Sequence, residues 1–535
     1  MTSKCSSDMV DTKNGASGVL TMRNSSSKWM RLAAISVLTL GLTPVLAQKT
    51  ADCPDVPALE AKVKSEGSVA NLVSLGQGYL CLGKPSLAQN VLEDALAIDA
   101  DSFDAHFYLG RALYELGDLD GSLFEYNLLS NLEPERMEPY YQQGVILARL
   151  GKTDEAIGVF NKAIEAGKKL KVEPDLLVNT YLALASQQRI KKDYANLVKT
   201  YSAALELRPG DPTLLLGKAQ ALADAGRPTE AVQVASSILN KDPANVSASL
   251  LVADIYAEQG IYERAIRQLN RSLEVVKDQK SRALLFFKRG LIEFRASKPK
   301  DAIFSLTAAT KANPDLFEAQ YNLGVLLLPD SPSDALSHFS AAARLHPEDG
   351  ESYLGVANAQ ENLKRYDEAY TAAKTALKFL KDDKLRATAQ FVAGHSAYLN
   401  NKFSDAALEF QALSEQTPDN AQYFQWLGLS LYQLGDFSNS ITAFQRAVTL
   451  DPKNIDAQVN LGNAFLGAKD WGNAENTFHN AVLAKPDLAE ALYGWGVSLV
   501  NLKRIEEGRV QLEKALKLGY EPARKALAAL PKASK

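Results

Sequence analysis

Leu427–Pro452 reads LGLSLYQLGDFSNSITAFQRAVTLDP, and Leu461–Pro486 reads LGNAFLGAKDWGNAENTFHNAVLAKP. The two align without a gap at a period of 34: Leu427 and Gly428 fall on Leu461 and Gly462, Phe444 on Phe478, Ala447 on Ala481 and Pro452 on Pro486. The first stretch holds two apolar stripes at helical spacing, with Gly435 and Asp436 between them and a proline at its end. The same frame runs back through Leu109–Pro134 and Gln143–Ile164. Self-similarity at a fixed period marks stacked supersecondary units, each unable to bury its apolar faces alone.

These units resemble the tetratricopeptide repeat. The pattern is Leu-Gly early in a first helix, an alanine early in a second, an aromatic four residues on, a further small residue and a closing proline. About 13 units run from Val69 to about Tyr520. The resemblance implies an all-α, right-handed superhelical solenoid of about 13 antiparallel helix hairpins, with first helices lining a concave face. The chain then divides into an upstream extension and signal peptide (1–47), a leader (48–68), the solenoid (69–520) and a capping helix with a tail (521–535).

The spacing has a physical basis. Where the two helices of a hairpin cross, only Gly, Ala or Ser lets the backbones approach closely. Phe160, Tyr201, Phe410, Phe444 and Phe478 are placed to fill the space between one hairpin and the next. Gly117, Gly151, Gly226, Gly260 and Gly435 stand where a positive φ ends the first helix at low cost. Prolines such as Pro134, Pro347 and Pro486 end the second helix. Some units depart from the pattern. The fourth carries Leu197 where a small residue belongs, and Phe317–Glu348 is one residue short. Two charged joints, Val275–Phe287 and Phe379–Phe391, lack the closing proline. Longer helix ends and subdomain breaks are expected at these joints.

The N-terminus predicts export. Arg23, Lys28 and Arg31 precede an apolar run from Leu32 to Leu42, Thr43 and Pro44 break it, and Val45 and Ala47 are small. That is the layout of a secretory signal peptide cleaved after Ala47, giving a periplasmic or secreted protein. The run is short for a membrane span, so membrane contact is expected only if the segment stays uncleaved. Residues 1–21 are either an extension or the product of a start placed at Met1 instead of Met22. Cys5 precedes the signal. Cys53 and Cys81 remain as a candidate disulfide in an exported chain, the alternative being a buried thiol at Cys81 and an exposed one at Cys53.

Chemistry is sparse. The formal net charge of −4 gives no reason to expect a nucleic-acid partner. His106, His338, His346, His395 and His479 are scattered, and no metalloprotease, CxxC, nucleophile-elbow, phosphate-loop or EF-hand motif occurs. The reading is a non-enzyme without cofactor or metal. The family resemblance assigns function to the concave face and to protein or peptide partners. Its candidate groove residues are Phe107, Arg111, Tyr114, Tyr141, Phe287, Tyr321, Phe391, His395, Tyr398, Gln425, Tyr432, Asn463 and Tyr493. Envelope assembly, secretion and polysaccharide export are the roles that exported proteins of this kind commonly serve, with carbohydrate binding or a membrane-tethered assembly factor as alternatives. The carboxylate clamp of chaperone-tail-binding relatives needs Lys and Asn at the fifth and ninth positions of one unit. Here Asn358 and Asn463 are accompanied by Leu354 and Val459.

Overall fold

The computed structural model describes residues 53–531 and the isolated Met22. The expected signal segment and its cleavage point after Ala47 lie outside the described residues, as do residues 1–21 and 532–535. All regular structure among the described residues is helical. A leader helix, Val56–Ser65, is followed by 13 antiparallel hairpins, from Val69–Cys81 paired with Pro85–Ile98 to Ala489–Asn501 paired with Ile505–Lys517. A final helix, Pro522–Ala528, follows them. Among the described residues no helix is long and apolar enough to cross a membrane.

Local chemistry sets the ends of the helices. Asp118, Asp193, Asp436 and Asp470 each accept a hydrogen bond from the backbone N–H three residues on and so start a second helix. Pro85, Pro228 and Pro332 start others from the first turn, where the missing N–H costs nothing. Twelve hairpins turn through a residue of positive φ. It is Gly83, Gly117, Gly151, Gly226, Gly260 or Gly435 in six, and Lys192, Ser297, Lys364, Asn401, Lys469 or Lys503 in the others. The exception is the short hairpin, Phe317–Leu327 with Pro332–Leu345, which turns through Leu328–Ser331.

The seams follow from the small residues. A Cβ on Gly428 would lie 2.8 Å from the Phe444 ring, and one on Gly462 would lie 2.7 Å from Phe478. Phe478 also presses on Gly494 of the next hairpin, at 2.4 Å from a built Cβ, and Phe339 lies between Gly324 and Gly355 in the same way. Each ring therefore wedges between two successive first helices. Phe160, Phe339, Phe410 and Phe478 are fully buried, each worth about 1.5–3 kcal/mol in apolar burial.

The helices form two compact units, one through Ser305 and one from Leu306 onward. The division falls within the helix Pro299–Ala312, at neither of the two charged joints. At both joints an arginine satisfies carbonyls at the end of the second helix. Arg282 donates to the carbonyls of Leu273 and Val276, and Arg386 to those of Leu377 and Leu380. Asp278 and Asp382 then cap the next helices, Gln279–Arg295 and Asp383–Leu399, each of 17 residues against 13 in Ala421–Gln433. The joints are fastened, with the extra length added to the start of the following helix.

Cys53 and Cys81 are joined by a disulfide, with Cα atoms 5.7 Å apart. It ties the segment ahead of the leader helix to the end of the first hairpin's first helix. Beneath it, Val56 lies against Gly78.

Candidate partner-binding face

Consecutive first helices are linked side by side along one face by hydrogen bonds between side chains. Tyr321 donates to Glu351 at 3.1 Å, and Asn454 to Gln425 at 3.2 Å. His395 Nδ1 and Ser396 Oγ meet Glu361 at 2.8 and 3.0 Å. Asn463 donates to Glu490 at 3.2 Å. Each bond spans from one hairpin to the next, so the rungs hold neighbouring first helices in register and leave a strip of half-buried polar and aromatic side chains along the second unit.

The expected groove residues divide into two sets. Phe107, Tyr141, Phe287, Tyr321 and Phe391 are buried, between 0% and 7% exposed, and do not lie open on a face. All five occupy the fifth position of their unit. Four of them turn onto an aromatic of their own second helix: Phe107 on Tyr126 at 5.6 Å, Tyr141 on Phe160 at 6.0 Å, Tyr321 on Phe339 at 5.7 Å and Phe391 on Phe410 at 5.7 Å. An aromatic placed there against a second-helix aromatic completes the seam and is lost to the face, whereas Tyr493, at the same position of a unit with Leu512 in its second helix, stays half-buried.

The other eight are half-buried. Arg111 pairs with Glu115 at 3.1 Å, and Tyr114 lies under the Arg149 guanidinium at 4.9 Å. His395 and Tyr398 flank Trp426 at 4.8 and 5.3 Å between ring centroids. Tyr432 leans on Phe437, and Tyr493 on Tyr520. Gln425 and Asn463 are rungs of the ladder. In the second unit the structure brings His395, Tyr398, Gln425, Tyr432, Asn463 and Tyr493 onto successive first helices; Arg111 and Tyr114 belong to the first unit.

The remaining histidines serve packing. His106 bridges the Ala100 carbonyl and Glu125, at 2.9 and 2.5 Å. His338 bonds the Gln320 amide oxygen at 2.7 Å, and burial holds its imidazole below the ordinary value. His346 stacks on Phe317 and His479 on Trp495. Among the described residues, no group of three or more His, Cys, Asp or Glu stands where it would hold a metal ion.

Sequence reasoning missed the charge pairs that repeat with the fold. Lys288 meets Asp254 at 2.6 Å with only 3% of its side chain exposed, and desolvation pushes its ammonium below the usual lysine range against the pull of Asp254. Lys298 pairs with Glu263 and Lys374 with Glu409, both at 2.6 Å, and Lys402 pairs with Asp367. Partners stand 34 or 35 residues apart. Opposite charges one period apart were the readable signal.

A stack of helix hairpins wedged by aromatics and linked across one face is a helical-repeat scaffold. Tetratricopeptide repeat profiles match residues 73–130, 138–166, 198–245, 222–285, 287–328 and 330–386, and a TPR repeat profile matches 428–468. The chain belongs to the tetratricopeptide repeat family. It is 24% identical over 341 residues to the BBSome complex member BBS4 of Bos taurus, covering 61% of this chain and 63% of that protein. It is 22% identical over 283 residues to the TPR repeat-containing protein YpiA of Bacillus subtilis (strain 168), covering 52% and 63%. The chain thus spans less than two thirds of the length of these relatives. Among solved structures, Naa15/Naa10 bound to HypK-THB is similar at 14% identity and a TM-score of 0.37, covering 86% of this chain and 78% of that one.

Proposed function

We propose that this protein is a non-catalytic interaction scaffold, exported to the cell envelope or secreted, that holds protein partners on its first-helix face. The observation that carries the reading is the strip formed by His395, Tyr398, Gln425, Tyr432, Asn463 and Tyr493. Half-buried aromatics and amides, fixed by rungs between hairpins, supply contact area at low entropic cost and a few directional bonds. Such a face suits segments presented during envelope assembly, secretion or polysaccharide export. A crosslinked pull-down from the native envelope fraction tests it. Specific partners are expected with the natural chain and are lost with Tyr398→Ala/Tyr432→Ala, while the thermal midpoint stays within a few degrees. Enrichment no greater than on a charge-matched exported control would sink the scaffold reading. N-terminal sequencing of the mature protein is expected to begin at Gln48, and an intact Met22 end would overturn export by cleavage.

A further inference from the structure

Along every second helix three positions stay exposed or half-buried: the residue before its small residue, and the second and sixth after it. In the helix Tyr262–Val275 the small residue is Ala265, and those positions hold Arg264, Arg267 and Arg271, all exposed. In no other second helix do they hold more than one cation. The buried side of the helix, Ala265, Leu269 and Leu273, fixes the stripe in place. At about 1.5 Å of rise per residue the three charges span about 10 Å.

These arginines are unbalanced. Among the described residues no carboxylate lies within ion-pair reach of any of them. The acids around them are taken or matched. Glu263 is held by Lys298 at 2.6 Å, and Glu230 on the preceding second helix by Arg227 at 2.6 Å. Glu274 and Asp301 carry no ion pair, and Lys277 and Lys300, which pair with no carboxylate either, match them in number. Elsewhere the fold gives exposed arginines an acid, as with Arg504 and Glu507 or Arg524 and Glu521. Like charges at Arg267 and Arg271, one helical turn apart, work against the helix. A local cost that the fold does not recover points to a surface kept for a ligand.

The next second helix, Pro299–Ala312, presents Phe304 at the position that Arg267 holds, with 69% of it exposed. Arginine forks grip carboxylates through two hydrogen bonds at once, and carboxylates along one side of a helix repeat at the stripe's own spacing. We infer that Arg264, Arg267 and Arg271 dock an acidic helix of a protein partner. Its Glu or Asp residues recur at helical spacing against the stripe, and aliphatic side chains beside them lie on Phe304. This is a second partner surface, formed by second helices and independent of the first-helix face.

The test uses the full chain and three labelled alanine-rich helical peptides of about 16 residues. They share one aliphatic stripe and carry glutamate, glutamine or lysine beside it at helical spacing. The glutamate peptide is expected to bind about tenfold more tightly than the glutamine one, the gap closing as salt rises. Arg264→Gln/Arg267→Gln/Arg271→Gln abolishes the gap. Should that variant lose its helical circular dichroism, Arg267→Gln alone narrows the gap to about half on a logarithmic scale. Phe304→Ala weakens both peptides alike. Lys162→Gln/Lys199→Gln/Lys514→Gln makes the same charge change on three other second helices and leaves the gap unchanged. A gap lost there shows attraction to net charge and overturns the inference, as does equal binding of all three peptides or no binding of any. A gap lost in Tyr398→Ala/Tyr432→Ala places the peptide on the first-helix face and also overturns it. Phosphatidylglycerol vesicles that retain the chain through the arginines, with the glutamate peptide unbound, assign the stripe to a membrane instead. The scaffold reading is judged by its own pull-down and survives each of these results.

Discussion

A methyl group on Gly428 would stand 2.8 Å from the Phe444 ring, closer than real Cβ contacts allow. Gly428→Ala is therefore expected to lower stability by about 1–3 kcal/mol through overpacking. Urea denaturation should show it, and Phe444→Leu in the same chain should recover part of the loss. If the single variant is neutral, the wedge is softer than its geometry implies. The turn lysines test the opposite direction. Lys364, Lys469 and Lys503 hold φ of 59°, 63° and 68°, where a side chain crowds the backbone. Glycine at each should stabilise by about 0.5–1 kcal/mol, the relief of strain exceeding the extra entropy of the unfolded chain. At this scale the glycines that meet rings were legible because a repeat sets them side by side in sequence. The lysine turns were not, because a residue that tolerates a strained φ leaves no mark of its own.

Between helices, the decisive pairs are those one period apart. Breaking the Lys288–Asp254 pair with Lys288→Ala should cost about 3–5 kcal/mol, since Asp254 is left without its cation, whereas Lys288→Met/Asp254→Leu should restore most of the loss. Comparing the two by chemical denaturation separates the pair's contribution from the penalty for orphaning a charge. His338 makes a pH prediction. Burial lowers its native pKa below the unfolded value near 6.5, so the unfolded chain binds the proton more readily. Its contribution to stability is full above that value and falls away as the solution is acidified through the lowered one. His338→Gln should flatten the denaturation midpoint between about pH 7 and 5, and an unchanged slope would count against it. Helix phase decided which site residues sequence reasoning could place. His395, Tyr398, Gln425, Tyr432, Asn463 and Tyr493 stand on the linked face, whereas Phe107, Tyr141, Tyr321 and Phe391 at the fifth position face a second-helix aromatic four residues after that helix's small residue. Phe107 and Tyr126 show the relation in the sequence itself, once the contact is known.

For the whole molecule, stability is a sum over hairpins and seams, and the ends are its weak points. The Cys53–Cys81 bridge closes 28 residues around the leader helix and the first helix after it, an effect worth about 3 kcal/mol at that end. Reduction should raise amide exchange in Val56–Ser65 and Val69–Cys81 while leaving Ala489–Asn501 unaltered. Uniform loss of protection along the chain would show a cooperativity that nearest-neighbour stacking does not provide. The hairpin count was legible from the 34-residue period, because each unit repeats the same few packing residues. The division after Ser305 was not, because Arg282 and Arg386 fasten the joints where missing prolines suggested a gap.

The ring wedged between two glycines also bears on how such a chain changes over generations. Phe478 meets Gly462 in its own hairpin and Gly494 in the next, as Phe339 meets Gly324 and Gly355. Both halves of a seam therefore travel within one repeat length. An unequal crossover that removes or adds 34 codons in frame joins a ring to the glycine it already fits. The packing within a seam sets no penalty on the number of units, so the array can gain or lose whole repeats without a new misfit between ring and glycine.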